Sequence, residues 1–257
     1  MIRIDDLSPR LRQEIRAARR EVARLHGELI RWNLVVWTAG NVSQRIRSAD
    51  EIGTDLLVIK PSGVPYELLT PENMVVCDLA GHKIEGGKDG SGTVDDAAGA
   101  SLSPSSDVFA HGYVYQHMDQ VGGVVHTHST YATAWAARRR PIPCVLTMMA
   151  DEFGGEIPVG PLAVIGDDSI GRGIVETLRG HRSKAVLMAN HGPFTVGKDA
   201  NVAVKAAAMC EEVAQTVYVS AQMGEPVPIA QQTVDRLYAR YQNVYGQHEP
   251  KLAGGTG

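Results

Sequence analysis

Cysteine is scarce: Cys77, Cys144 and Cys210 are the only three in 257 residues, widely spaced and without a C-x-x-C pair. They can build neither a disulfide framework nor a zinc ribbon, and a reducing cytoplasm is the compartment that such usage fits. Long apolar runs are missing as well, since no stretch approaches the roughly 18 apolar residues of a transmembrane helix. The opening residues MIRIDDLSPRLRQEIRAARREV alternate charges with single apolar side chains and contain no continuous apolar region of the kind found in secretory leaders. The chain is therefore expected to be neither secreted nor membrane-spanning, and Asn41-Val42-Ser43 needs a reading other than glycosylation. An excess of positive charge is also absent. Twenty-five basic and 29 acidic side chains leave a net charge of −4. Apart from Arg138, Arg139 and Arg140 the basic residues do not cluster, which argues against a nucleic-acid partner.

With 44% hydrophobic and 21% charged residues, 257 residues can bury a core of their own without staples. No repeat or linker divides the chain, and a single α/β domain over 1–257 is expected. Ser8 and Pro9 have the form of an N-cap and first helical residue, and Leu11, Ile15, Ala18, Val22, Leu25 and Leu29 follow at steps of three and four, predicting a helix over 9–31. Strands are expected at 33–36, 56–59, 74–79, 121–127, 142–147, 162–165 and 185–190. A turn is expected at 38–41 and hairpins at 48–53 and 80–85. Helices are expected after Asp107, over 131–139, 169–179, from Asp199 to about 222, and over 231–242. Residues 86–103 hold two isolated large apolar side chains and read as a mobile loop, and 248–257 as a flexible tail.

His126-Thr127-His128 ends an apolar strand, where residues i and i+2 share a face and two imidazoles converge. His191 follows a second apolar strand at its turn. Three histidines at two strand ends point to a divalent metal, most simply zinc, with positions left open for substrate. Manganese and cobalt suit the same donors. The helix after Asp107 adds His111 as a weaker candidate, while His26, His82, His117, His181 and His248 suit solvated or capping roles. Gly40-Asn41-Val42-Ser43, Lys60-Pro61-Ser62-Gly63 and Ser105-Ser106 each offer small side chains, free N–H groups or a cation, as an anion cradle requires. The triple arginine reads as a solvated helix end.

Taken in order, the GNVS, KPSG, PSSD, GGVVHTHS and NHGPF segments resemble the class II aldolase and L-ribulose-5-phosphate 4-epimerase family over about residues 10–247. The resemblance implies a central, mainly antiparallel sheet flanked by helices, and a homotetramer with active sites between subunits. It implies zinc ligation by His126, His128 and His191 with Asp107 at the metal, and phosphate binding by Asn41, Lys60, Ser62, Gly63, Ser105 and Ser106. Aldolases of the family carry Glu where Asp107 stands, and Asp is the epimerase choice. Asp151 and Tyr245 match the epimerase acid/base pair. The expected activity is interconversion of L-ribulose 5-phosphate and D-xylulose 5-phosphate, with a sugar-phosphate aldolase as the alternative. A non-catalytic module, as in cytoskeletal relatives, would require the histidines to be missing. The insertion at 86–103 is longer than the family's usual link.

Overall fold

The computed structural model of the chain describes residues 3–84 and 102–243. The loop expected at 86–103 lies outside them except for its last two residues, and Tyr245, His248 and the tail expected at 248–257 lie outside them altogether. No described helix is long and apolar enough to cross a membrane.

Helix α1 runs Pro9–Arg31, and the Ser8 hydroxyl accepts from the Leu11 amide at 3.2 Å, as the sequence leads one to expect. Its apolar stripe, Leu11 to Leu29, is buried. It ends where Asn33 turns left-handed at φ 54° and Leu34 N returns to Leu29 O, so the strand expected at 33–36 does not form. A turn closed by Ala39 N to Val36 O stands close to the one expected at 38–41, and the chain then enters β1 (Asn41–Ile46), a strand not foreseen. The reversal expected at 48–53 does join two antiparallel strands, and its loop carries the short helix α2 (Ala49–Ile52). Asp55 organises that reversal: its carboxylate accepts from the Ser48 and Ala49 amides and pairs with buried Arg45 at 2.7 Å. Strands β2 (Leu56–Ile59) and β3 (Val75–Asp78) follow, and one bridge, Cys77 to Lys83, marks the hairpin expected at 80–85.

After α3 (Val108–His117), β4 (Gly123–His126) and α4 (Thr130–Ala137), the expected strand at 142–147 shrinks to one bridge between Ile142 and Ile157. Pro141 and Pro143 flank Ile142 and cannot donate to a ladder. Helix α5 (Thr147–Phe153), not foreseen, starts there instead. The strand expected at 162–165 lies earlier, as β5 (Val159–Gly160), cut off by Pro161. Then come α6 (Ser169–Leu178), β6 (Ala185–Met188), β7 (Gly192–Gly197), α7 (Ala200–Gln222) and α8 (Gln231–Asn243). Asp199 caps α7 through the Val202 amide at 2.8 Å.

The seven strands form a sheet in the order β3-β2-β1-β4-β7-β6-β5. Every pairing is antiparallel except β5 with β6, so the sheet is mixed and mostly antiparallel. Both faces are covered. Leu56, Val58, Val76 and Val125 pack in one apolar cluster with α1 and the start of α7. Leu57, Ile59, Cys77 and Val124 pack in another with α3 and α6. The strands alternate between these clusters with the period of two that a pleat imposes.

Three buried polar groups tie the layers. His26 on α1 accepts the Val42 amide at Nε2 (3.1 Å), and its Nδ1–H donates to Val22 O (2.7 Å). It is structural and buried, not solvated or capping, and burial lowers its pKa to about 3. His111 is also fully buried, bonded to Ser43 Oγ at 2.7 Å, and burial lowers it to about 4. The unfolded chain, with histidines near 6.5, binds protons that these native rings refuse. The stabilisation is thus complete above about pH 6.5 and lost as the pH falls toward the native values. A urea unfolding midpoint that drops between pH 7 and pH 5 is expected, and a midpoint level across that interval would contradict the buried-neutral assignment.

The third tie is Glu152 on α5, fully buried, which receives Lys184 at 3.0 Å, Lys205 at 2.8 Å and the Tyr241 hydroxyl at 2.8 Å. Burial pushes its carboxyl up, but these donors outweigh it and hold the pKa below the usual carboxylate value. Helix α8, of which only Val234 is buried, is bound to α5 by this cluster and to the segment between α6 and β6 by the Arg182–Asp235 pair at 2.5 Å.

Candidate metal centre and anion cradle

The register of the sheet assembles the site. Asn41 opens β1 directly opposite His126 at the end of β4, and Phe194 of β7 faces His126 from the other side. The chain must pass very close here. A Cβ on Gly40 would stand 2.8 Å from His126 O, and φ at that residue is +79°, so glycine is the residue that fits. His128 lies two residues past His126 on the same face, and the turn from β6 to β7 delivers His191.

The three imidazoles converge so that one nitrogen of each lies within 4.8 Å of the others. His126 Nε2 and His128 Nε2 are 2.9 Å apart. The His126 ring stacks on Phe194 at 4.1 Å, and its Nδ1 is 3.1 Å from Pro193 O. A carbonyl can only accept, so Nδ1 carries the proton and Nε2 presents its lone pair to the centre. Burial, then the neighbouring His191 and His128, hold the His126 pKa well below its ordinary value. Burial also lowers His128 and His191, although Asp107 pulls both the other way. Neutral imidazole is the ligating form, so the donor set fits a divalent cation.

Asp107 stands at the N-cap position of α3, but its side chain does not cap the helix. Asn41 Nδ2 donates to its Oδ2 at 2.6 Å, while Oδ1 is buried with no hydrogen-bond partner among the described residues. An orphan carboxylate oxygen beside three neutral imidazoles is what a fourth ligand position provides. No other group of three ligand side chains occurs among the described residues.

The cradle is a clasp of two extended segments. Ser62 N donates to Ser103 O and Ser105 N to Lys60 O, both at 2.9 Å, around a bridge of Pro61 to Pro104. Asn41 Nδ2 also reaches Ser105 Oγ at 3.1 Å, joining clasp to metal site. Lys60 is 2% exposed, with Nζ 3.1 Å from Thr38 O. Burial lowers its pKa to about 8 despite the pull of Asp107, which leaves it mostly protonated at neutral pH.

Asn41, Lys60, Ser62, Gly63, Ser105, Ser106, Asp107, His126, His128 and His191 all line one cavity of 320 Å³, together with Thr38, Ala39, Gly40 and Ile165. Ile165 escaped the sequence reading because its segment was assigned to a strand. Larger surface grooves exist beside Trp135 and Tyr218 (730 Å³) and beside Trp32 and Met209 (630 Å³), but neither holds a ligand cluster. Asp151 does not line the cavity of its own chain. It sits on α5, with Oδ1 buried and unpartnered among the described residues. Tyr245 lies outside the described residues. His111 does not line the cavity either. His82 bonds Asp78, His117 stacks on Tyr113, and His181 accepts the Ser183 amide. Arg138, Arg139 and Arg140 are exposed at the end of α4, as expected, and Arg139 Nε also donates to Asn190 Oδ1 at 2.7 Å.

Comparison with known proteins bears on the same residues. The family described as Class II Aldolase and Adducin N-terminal domain matches residues 20–218. A protein named L-ribulose-5-phosphate 4-epimerase UlaF, from Salmonella paratyphi C, is 40% identical over 202 residues, covering 75% of this chain and 80% of its own. Among solved structures, an L-fuculose 1-phosphate aldolase superposes with a TM-score of 0.74 at 24% identity, over 92% of this chain and 98% of that one. The L-fuculose-1-phosphate aldolase of Thermus thermophilus gives a TM-score of 0.61 at 26% identity, over 84% and 98%.

Proposed function

The chain belongs to the class II aldolase and adducin family, and we propose that it is a metal-dependent L-ribulose-5-phosphate 4-epimerase, with zinc at the three histidines. The observation that carries this reading is the single cavity in which His126, His128, His191 and Asp107 face the Lys60–Gly63 and Ser105–Ser106 clasp. The relative at 40% identity bears the epimerase name.

The chemistry follows from the substrate. C4 of a pentulose phosphate carries no acidic proton, so inversion there must break and re-form the C3–C4 bond. His126, His128, His191 and Asp107 would hold a divalent cation, which would supply Lewis acidity for the negative charge that develops as that bond breaks. The clasp, with the Lys60 ammonium and the Asn41, Ser62 and Ser105 groups, retains the phosphate of the departing glycolaldehyde phosphate while the aldehyde turns over. Asp151 and Tyr245 handle the proton of the C4 hydroxyl, one on each face. Since Asp151 lies away from the cavity of its own chain, it serves the cavity of a neighbouring copy in a homotetramer. Three cysteines without a close pair suit a reducing cytoplasm.

The test is to incubate the zinc-loaded protein with L-ribulose 5-phosphate and follow D-xylulose 5-phosphate and free glycolaldehyde phosphate together. Xylulose 5-phosphate without free aldehyde is the expected outcome. Released aldehyde would assign the chain to the aldolases, and neither product would overturn the sugar.

A further inference from the structure

His191 differs from its two partners in what holds it. The His126 ring is fixed by Phe194 and Pro193 O, whereas no hydrogen bond orients the His191 ring among the described residues. Edge-on contacts with Phe194 and the other two imidazoles surround it, and its aim is set by its backbone, in the turn between Met188 and Gly192, which pair at the base and leave Ala189, Asn190 and His191 to reverse the chain. Asn190 is left-handed there, with φ 57°.

Across from this turn, just past the end of α4, Arg139 is left-handed too, with φ 51°. Glycine takes that conformation without strain at a helix end, and an arginine does not. The two left-handed residues are joined twice. Arg139 Nε donates to Asn190 Oδ1 at 2.7 Å, and the amides of Arg139 and Asn190 converge on one acceptor, Ala136 O, at 3.0 and 3.1 Å. The next residue in the chain is His191.

We propose that Arg139 is a positioning residue for the metal ligand His191: its guanidinium clamps Asn190 in the left-handed turn and so aims the third imidazole at the other two. The inference rests on the reading of the three histidines as a metal site. A strained residue kept where glycine would be easier has a function in what its side chain does. Here that is a hydrogen bond to the neighbour of a ligand, the outer-shell role that in many metal sites falls to a group bonded to the ligand ring itself.

Arg139→Gly separates this role from a structural one, because glycine relieves the backbone and deletes only the clamp. Titration with zinc, and with cobalt as a spectroscopic probe, is expected to show binding weakened about ten- to a hundred-fold and an altered cobalt spectrum. The Tm of the metal-free protein should hold or rise. Asn190→Gly should weaken binding similarly, and the double variant little further, as coupled residues do. Metal affinity and cobalt spectrum equal to those of the wild type in Arg139→Gly would overturn the proposal. Wild-type protein that binds metal no better than His126→Ala would instead bring down the metal reading, and the clamp with it.

Discussion

His126→Ala is expected to lose its divalent cation and, with it, epimerisation by about a thousand-fold or more. Lewis-acid stabilisation of developing charge is worth several kcal/mol, and each 1.36 kcal/mol is a factor of ten. Two imidazoles and one carboxylate remain, with a hole where the most buried ligand stood. His126 also stacks on Phe194 and bonds Pro193 O, so part of the effect could come from disturbed packing. His128→Ala supplies the control, since His128 is an exposed ring in the cavity wall. Both variants should show metal content well below the wild type by mass spectrometry, with His128→Ala folded by circular dichroism. A His126→Ala protein that keeps its metal and its turnover would dissolve the three-imidazole site.

Asp151→Asn is expected to cut kcat by about 10²- to 10⁴-fold, the usual reach of a positioned proton-transfer group. Metal content and KM should change little. Asparagine keeps the shape of the carboxylate, and the Oδ1 it replaces has no described partner to lose, so the fold should survive. Tyr245→Phe should likewise keep its metal and turn over slowly. The assembly sharpens the expectation. If the histidines of one copy work with Asp151 of the next, inactive His126→Ala and inactive Asp151→Asn chains mixed in one tetramer regain activity at roughly a quarter of the sites, those with both wild-type halves in the right order. Mixed tetramers with no activity would place Asp151 in service of its own chain or outside the reaction.

The site was more legible than the frame around it. Strand-end histidines and small polar segments announce themselves by residue type, and the fold brings all ten cavity residues foreseen to one wall. Helices α1 and α7 were equally plain, because Ser8 and Asp199 cap them as their positions suggest. Strand β1 was hidden by its own chemistry. Ser43 and Arg45 point to a buried face where His111, Tyr115 and Asp55 satisfy them, so the apolar alternation that marks a half-buried strand is missing. In β7, Gly192, Pro193 and Gly197 read as turn residues, yet all six positions are buried in the middle of the sheet. That the Asp107 carboxylate turns away from the start of α3 was not legible, because nothing local reveals that Asn41, 66 residues away, donates to its oxygen. The bond from exposed Arg139 to Asn190 was hidden for the same reason: the partner is 51 positions distant.

The attachment of α8 has a consequence for how the molecule responds to its medium. The first half of the helix is held by Arg182 and Asp235, each close to half exposed. The second half is held where Tyr241 and Lys205 meet the dry carboxylate of Glu152. Added salt weakens a wet pair increasingly, as the Debye length falls from about 8 Å at 0.15 M to about 3 Å at 1 M, but its ions hardly enter a dry one. Acid acts the other way, since protonating Glu152 leaves two ammonium groups facing each other with no anion between them. The two ends of one helix therefore loosen under different stresses, the leading end in brine and the trailing end, next to the segment that carries Tyr245, at low pH.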